Sequence, residues 1–491
     1  MKQRLCTLIL LCLSFSITSF SQIKIIPDSV SPKIAGDTLQ RLPHRPLTAV
    51  ATIFCTNMGV WSFDRYVLKS DYSRISLKTI SNNCKTGFVW DEDMFTTNLF
   101  AHPYHGGLYY TAARANGMNF WQSLPYVAGG SLMWEFCMEN ESAAINDFFA
   151  TSIGGACLGE MTFRISDLFI DERTVGFERF GREFLTTLLS PINGFNRIIS
   201  GRSSRISTIR NSVVSRPPAI FFATLGHRIM ADNLKDKQDV INTMSYDMGL
   251  YYGDPFDDDN EHPYDAFMLK MSGNFFGNQP LIHRFNALGM LYSRDISKAH
   301  SKNHFIFGFF QHFNFYQSNA EIDYEQISPY KISEAASAGP GLLYKRDFSK
   351  KLRLMGMMHL SAILLGGSQT DHFRTEKRDY NMGSGFSSKM SWELEFNRKS
   401  RLYSTVEDYR IYSWIGSKIP NSSEFVSNSQ GDIGNASLTV ARIGFQYTIK
   451  KHFLITTETS YNRRRSFYKY YDIQVVQHNV EENKVSVGYI F

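Results

Sequence analysis

The sequence predicts an α+β chain in which an N-terminal helical module precedes an antiparallel transmembrane β-barrel of about 12 strands. Two observations carry that expectation. From Ala219 onward apolar and polar residues alternate with a period of two, whereas before Pro217 apolar residues recur at helical spacing. After the first 21 residues, no stretch reaches the ~18 apolar residues of a transmembrane helix, so a membrane crossing would have to use strands.

The 491 residues suffice for two structural parts. Residues 1–21 read as a secretory signal. Lys2 and Arg4 form its basic end, Leu5 to Ile17 its apolar run, and Ser19-Phe20-Ser21 its cleavage site, with Gln22 as the mature start. An exported chain follows from this. Residues 22–46 are polar and proline-punctuated, an extended periplasmic lead. The helical module is expected over 47–201, a linker over 202–218 and the barrel over 219–491.

Within the module, Leu47–Val67 places Val50, Phe54, Trp61 and Tyr66 on one side of a helix. Asp71–Asn83 is polar and β-branched and reads as a weak strand or loop, and Trp90 to Asn98 as an acidic turn. Tyr109–Asn116 and Leu124–Asn140 read as helices, the second starting at a Ser123-Leu124-Pro125 cap. A further run covers Ala143–Phe169, then a charged helix begins at Asp171, and Phe195–Gly201 closes the module. Gly129, Gly130 and Ser131 are expected to face Gly154, Gly155, Ala156 and Gly159, since small residues let helix backbones approach.

The barrel strands are expected to begin near Ala219, Thr243, Asp265, His283, His304, Ala335, Lys351, Ser384, Arg401, Ser437, His452 and Val480. In Thr439–Ile449, Ala441, Ile443, Phe445, Tyr447 and Ile449 oppose Arg442, Gly444, Gln446 and Thr448. Charges thus fall on inward positions of otherwise apolar strands, which favours a barrel over a soluble sandwich. The helical module is expected to fill the lumen or cap the periplasmic mouth, and its polar content argues against its lying in lipid.

Net charge is +6, spread along the chain, and aromatics make up 14%. The basic stretch Arg202–Arg216 lacks a nucleic-acid-binding fold around it, so no nucleic-acid partner is expected. A solvated linker or an anionic-lipid contact fits it better. Cys55, Cys84, Cys137 and Cys157 would form one or two disulfides in an oxidising compartment, or stay as small buried thiols.

The stretches WSFDRYV (61–67), HPYHGGLYYTAARANGMNFW (102–121), GSLMWEFCMENE (130–141) and INDFFATSIGGACLGE (145–160) resemble an exported Gram-negative family catalogued as a domain of unknown function. The resemblance covers about residues 45–201. It implies an envelope location and supplies no activity. The closing VSVGYIF resembles the C-terminal signal by which outer-membrane assembly machinery recognises barrels. That machinery and outer-membrane lipid are the expected partners, and the outer membrane the expected location.

Chemistry-bearing residues concentrate in the module. His102 and His105 lie three apart, Glu135 and Glu139 are expected to share a helix face, Asp147 opens the next helix, and Glu160 sits one turn before Arg164. His102, His105, Glu135 and Glu139 would suit a divalent metal such as zinc or manganese. The same groups with Asp147 and Glu160 would supply a general acid and base for hydrolysis of envelope lipid. Against both stands a self-satisfying polar network, with Glu160 paired to Arg164 and Asp147 to Arg114. Trp90, Trp121 and Trp134 fit core packing better than a stacking surface. No HExxH, GxSxG or nucleotide loop is present.

Overall fold

The computed structural model describes residues 37–491 except 91–92, 215, 233–239, 277–278, 319–327, 375–378 and 415–430. The signal sequence, most of the periplasmic lead and much of the 410–435 loop lie outside the described residues.

The chain opens with a short strand, β1 (Asp37–Leu39), which pairs in parallel with β2 (Arg210–Ser212). Between them lie helices α1 (Pro46–Phe63), α2 (Leu77–Thr86), α3 (His102–Ala115), α4 (Phe120–Cys137), α5 (Ile145–Phe149), α6 (Gly155–Phe169), α7 (Gly176–Leu189) and α8 (Pro191–Ile199). Three π-helical turns, Asp64–Leu68, Thr97–Ala101 and Ala150–Gly154, extend α1, lead into α3 and join α5 to α6.

The stretch expected as strand or loop near Asp71–Asn83 instead yields α2. Ser76 caps it, its side chain accepting from Thr79 N while the Thr79 hydroxyl accepts from Ser76 N. α4 starts earlier than its proline suggested. Asn119 and Gln122 form a reciprocal capping box, so Pro125 falls inside the helix and not at its cap. The small-residue contact also differs from expectation. An added Cβ on Gly106 would meet Thr151 O at 1.9 Å, and one on Gly155 would meet Gly106 Cα at 2.6 Å. α3 and α6 are therefore backbone to backbone, while Gly130 of α4 lies against the Tyr109 ring.

Twelve strands close into a barrel: β3 (Ala219–Asp232), β4 (Val240–Tyr252), β5 (Phe267–Asn274), β6 (Arg284–Asp295), β7 (Asn303–Gln317), β8 (Lys331–Ser349), β9 (Leu352–Gln369), β10 (Tyr380–Phe396), β11 (Ser400–Ser413), β12 (Gly434–Ile449), β13 (Phe453–Tyr468) and β14 (Val475–Ile490). Neighbours are antiparallel and consecutive, and β14 pairs with β3 to close the ring. Closing the sheet leaves no unpaired edge. Phe491 N donates to Phe221 O at 2.9 Å, so the last residue ends at the same rim as the first strand. We call this the near end. The tight turns at 350–351, 397–399 and 450–452 lie there too.

Side-chain parity separates the two faces of the wall. Arg284 of β6 reaches Glu458 of β13, and the Tyr316 hydroxyl of β7 donates to Glu407 of β11 at 2.6 Å, so these residues point inward. The lumen is filled by such pairs, including Lys389 with Glu334 and Arg464 with Asp371, and by an apolar layer of Ile363, Ile411, Leu438 and Val440.

By the same parity Phe285, Ala287, Phe313, Phe315, Tyr380 and Met382 point outward, and these form one core with Phe95, Leu99, Tyr109, Tyr110 and Met161 of the helical module. The module therefore packs on the outside of the wall, over strands β4 to β10. This corrects the expectation that it would plug the lumen or cap the mouth. The lumen has its own filling, and the wall offers an apolar outer surface. A bulge in β8 around Ala335 brings the Ala335 carbonyl against Gly154, and Gln311 Nε2 donates to Ile153 O at 2.9 Å. Arg164 ties α6 to the β4–β5 connection through Asp265 and Pro263 O.

The linker is partly exposed, but several of its arginines dock on the module. Arg210 donates to Leu168 O, Arg216 to Asp167 O and Ile170 O, and Arg205 pairs with Glu172. Arg210 and Arg216 satisfy carbonyls left open at and just past the end of α6, which accounts for part of the basic run at that point of the chain. The four cysteines among the described residues are free thiols, and burial pushes that of Cys157 up to about 12.

Candidate functional site

The site is built where α3, α4 and α5 meet. The close approach of α3 to α6 fixes the start of α3, and with it His102. α4 delivers Glu135 in its last turn, and α5 delivers Asp147 in its first turn. One ligand-type atom from each of His102, Glu135 and Asp147 lies within 4.8 Å of the others. His102 Nε2 stands 3.7 Å from Asp147 Oδ2. Glu135 and Asp147 are buried, and the His102 side chain keeps 11% of its surface exposed.

Each carboxylate is also held from behind. Ala144 N donates to Glu135 Oε2 at 2.8 Å, and Asn146 Nδ2 donates to Asp147 Oδ1 at 2.7 Å. Such outer contacts fix the direction in which a carboxylate presents its remaining oxygen. Both π-helical turns next to the site adjoin its residues: one ends at Ala101, and the other begins three residues after Asp147. A wide turn re-aims the side chains beside it relative to a regular helix.

The other candidates fall elsewhere. His105 turns toward Tyr109, its Nε2 2.9 Å from the phenol oxygen, and its ring lies edge-on to Trp134 at 4.7 Å. Burial, aided by the charge of His102, pushes its pKa down to about 3, so it is neutral at neutral pH. Glu139 does not share a face with Glu135, because α4 ends at Cys137. It accepts instead from Trp134 Nε1 at 2.5 Å. Glu160 is a clamp. Its carboxylate accepts from Arg114 Nε at 2.8 Å, Arg164 Nε at 2.7 Å and Tyr110 Oη at 2.9 Å, with no exposure. Arg114 therefore pairs with Glu160 and not with Asp147. Tyr110 was missed from the sequence because a tyrosine in an aromatic-rich helix looks like ordinary core. Trp134 is buried in the core, whereas Trp121 is exposed and Trp90 packs against Trp414.

One consequence of the His105 environment is measurable. Its folded pKa lies below the unfolded value of about 6.5, so acid protonates the unfolded chain first. Its contribution is complete above about pH 6.5 and falls away toward pH 3, by roughly 1.4 kcal/mol per pH unit. His105→Gln should flatten the pH dependence of module unfolding, followed by tryptophan fluorescence, between pH 6.5 and 4. An unchanged slope would exclude His105 as its source.

Residues 87–192 match a family model described as a domain of unknown function (DUF3943). No curated protein matches the chain. Among solved structures, it is similar to the outer membrane protein Omp33 of Acinetobacter baumannii, at 7% identity and a TM-score of 0.23, covering 56% of this chain and 99% of that one. It is similar to the toluene transporter TodX of Pseudomonas putida, at 8% identity and a TM-score of 0.21, covering 57% and 90%. It is also similar to the attachment invasion locus protein Ail of Yersinia pestis, at 10% identity and a TM-score of 0.16, covering 56% and 99%.

Proposed function

We propose that this chain is an integral outer-membrane protein whose barrel holds the helical module against its outer wall, in contact with lipid, in a structural or transport-related role. The observation that carries this is a change of character along the outward face. On β12 the near half presents Ile443, Phe445, Tyr447 and Ile449, and the far half Ser437 and Thr439. On β14 the near half presents Val485, Val487 and Tyr489, and the far half Gln477, Asn479, Glu481 and Asn483. Nine residues at 3.4 Å with a 40° tilt rise roughly 20–25 Å, the height of the apolar band on membrane barrels.

On β7, β9 and β10 the far half is apolar as well, through Phe313, Phe315, Leu365, Tyr380 and Met382, and there the module covers it. The module's own outer surface is also apolar. Phe177, Phe180, Phe184 and Leu188 follow one exposed face of α7, and Phe195, Ile198 and Ile199 one face of α8. Among the described residues no helix is long and apolar enough to cross a membrane. Helices of this kind lie along an interface with one face in lipid. The filled lumen favours holding the module over conducting a solute. The terminal Phe491, seated beside Phe221 at the near rim, would present the assembly signal from the periplasmic side.

The test is depth-dependent substitution. Val487→Arg, on the exposed near half, should cost about 2–4 kcal/mol of barrel stability, and Asn479→Arg, on the same face of the far half, about 0–1. Folding into lipid vesicles, read by heat-modifiable gel mobility, measures both. Equal effects at the two positions would remove the lipid belt from that face.

A further inference from the structure

We propose that His102, Glu135 and Asp147 form a binding site for one divalent first-row transition-metal ion. This goes beyond the membrane role and does not depend on it. The donor set is one imidazole and two carboxylates. Mixed N/O sets of this type suit zinc, manganese or iron(II), whereas calcium and magnesium prefer oxygen alone.

The geometry is close to what a shared ion needs. Ligand bonds of 2.0–2.1 Å place neighbouring donor atoms of a tetrahedral site about 3.4 Å apart. The His102–Asp147 separation is 3.7 Å, and all three donor atoms lie within 4.8 Å of one another. Rotation of the Glu135 carboxylate about its last bond, pivoting on the Ala144 N–H, is the adjustment that closes the trio. Asp147 is already placed, with Oδ1 accepting from Asn146 Nδ2 and Oδ2 standing 3.7 Å from His102 Nε2.

Electrostatics point the same way. Two carboxylates buried side by side repel unless a proton or cation is shared between them. A divalent ion bound between them would offset that repulsion, with the His102 imidazole as its nitrogen ligand. The exposed edge of His102 gives an ion a way in. Three protein ligands leave at least one coordination position for water or a substrate oxygen, the pattern of a reactive centre more than of a closed structural one.

The chemistry also explains which earlier candidates drop out. His105 and Glu139, both expected as ligands, are engaged with Tyr109 and Trp134 Nε1. Asp147, expected as an acid or base or as the partner of Arg114, joins His102 and Glu135 instead.

The experiment uses the full-length protein in detergent. Metal content is read by plasma mass spectrometry after dialysis, as purified and after separate addition of zinc, manganese and iron(II). Wild type should retain about one equivalent of one of these ions, and Asp147→Asn and His102→Ala fewer than about 0.1. Glu139→Gln should retain the wild-type amount. Cobalt(II) added to stripped wild type should give visible ligand-field bands that Asp147→Asn lacks. Should His102→Ala fail to fold, the near-isosteric Asp147→Asn and the wild-type retention decide the matter. Retention of less than half an equivalent by wild type for all three ions overturns the site, as does equal retention by Asp147→Asn. Neither outcome bears on the lipid-facing belt.

Discussion

Glu160→Ala should unfold the helical module at much lower denaturant than wild type, a loss of about 3–5 kcal/mol. The carboxylate is fully buried and shared by Arg114, which is 11% exposed, and Arg164, which is 4% exposed. Removing it leaves Arg114 without its counter-charge, Arg164 with Asp265 alone, and the Tyr110 hydroxyl without its acceptor. Such orphaned charges cost more than the pair contributes when whole. Glu160→Gln keeps the shape and one acceptor oxygen, so its loss should be smaller while still clear. Urea unfolding followed by fluorescence of the module's tryptophans measures both. A change under about 1 kcal/mol for the alanine variant would mean that the clamp is not structural.

Gly106→Ala should be the most damaging single-methyl change in the module, at or above about 3 kcal/mol. Its new Cβ would sit 1.9 Å from Thr151 O and 3.0 Å from Gly155 Cα, both backbone atoms that no rotamer change can move. α3 would have to lift away from the π-helical turn and α6. Gly129→Ala is the internal control. Nothing lies within 4 Å of its added Cβ, so helix propensity alone acts, and the change should be neutral or stabilising by up to about 1 kcal/mol. Equal effects at the two glycines would contradict the close packing of α3 on α6.

The barrel was legible because outward and inward residues differ in kind. Alternation placed strands near Ala219, His304, Lys351 and Arg401, and the observed strands begin at Ala219, Asn303, Leu352 and Ser400. The position of the module was not legible for an equally physical reason. Phe309 meets surroundings outside the protein while Phe313 meets a helix, yet both are phenylalanines at outward positions of β7. Lipid and helix core select the same side chains, so the pattern cannot tell them apart. The site was half legible. Its residue types were visible, but Glu139 fell away because α4 stops two residues earlier, and Asp147 entered through packing between separate helices. Arg114 chose Glu160 over Asp147 because α3 lies against α6 at the paired glycines.

The seat of the helices on the wall sets an order of events. The surface that receives them is assembled from β4 through β10, all of which follow the helices in the chain. The part of the chain that comes first in sequence can therefore be seated only late, after Tyr380 and Met382 have joined the sheet. Until then, Phe95 and Phe100 lack the Phe285, Phe313, Phe315 and Tyr380 rings that they meet on the wall.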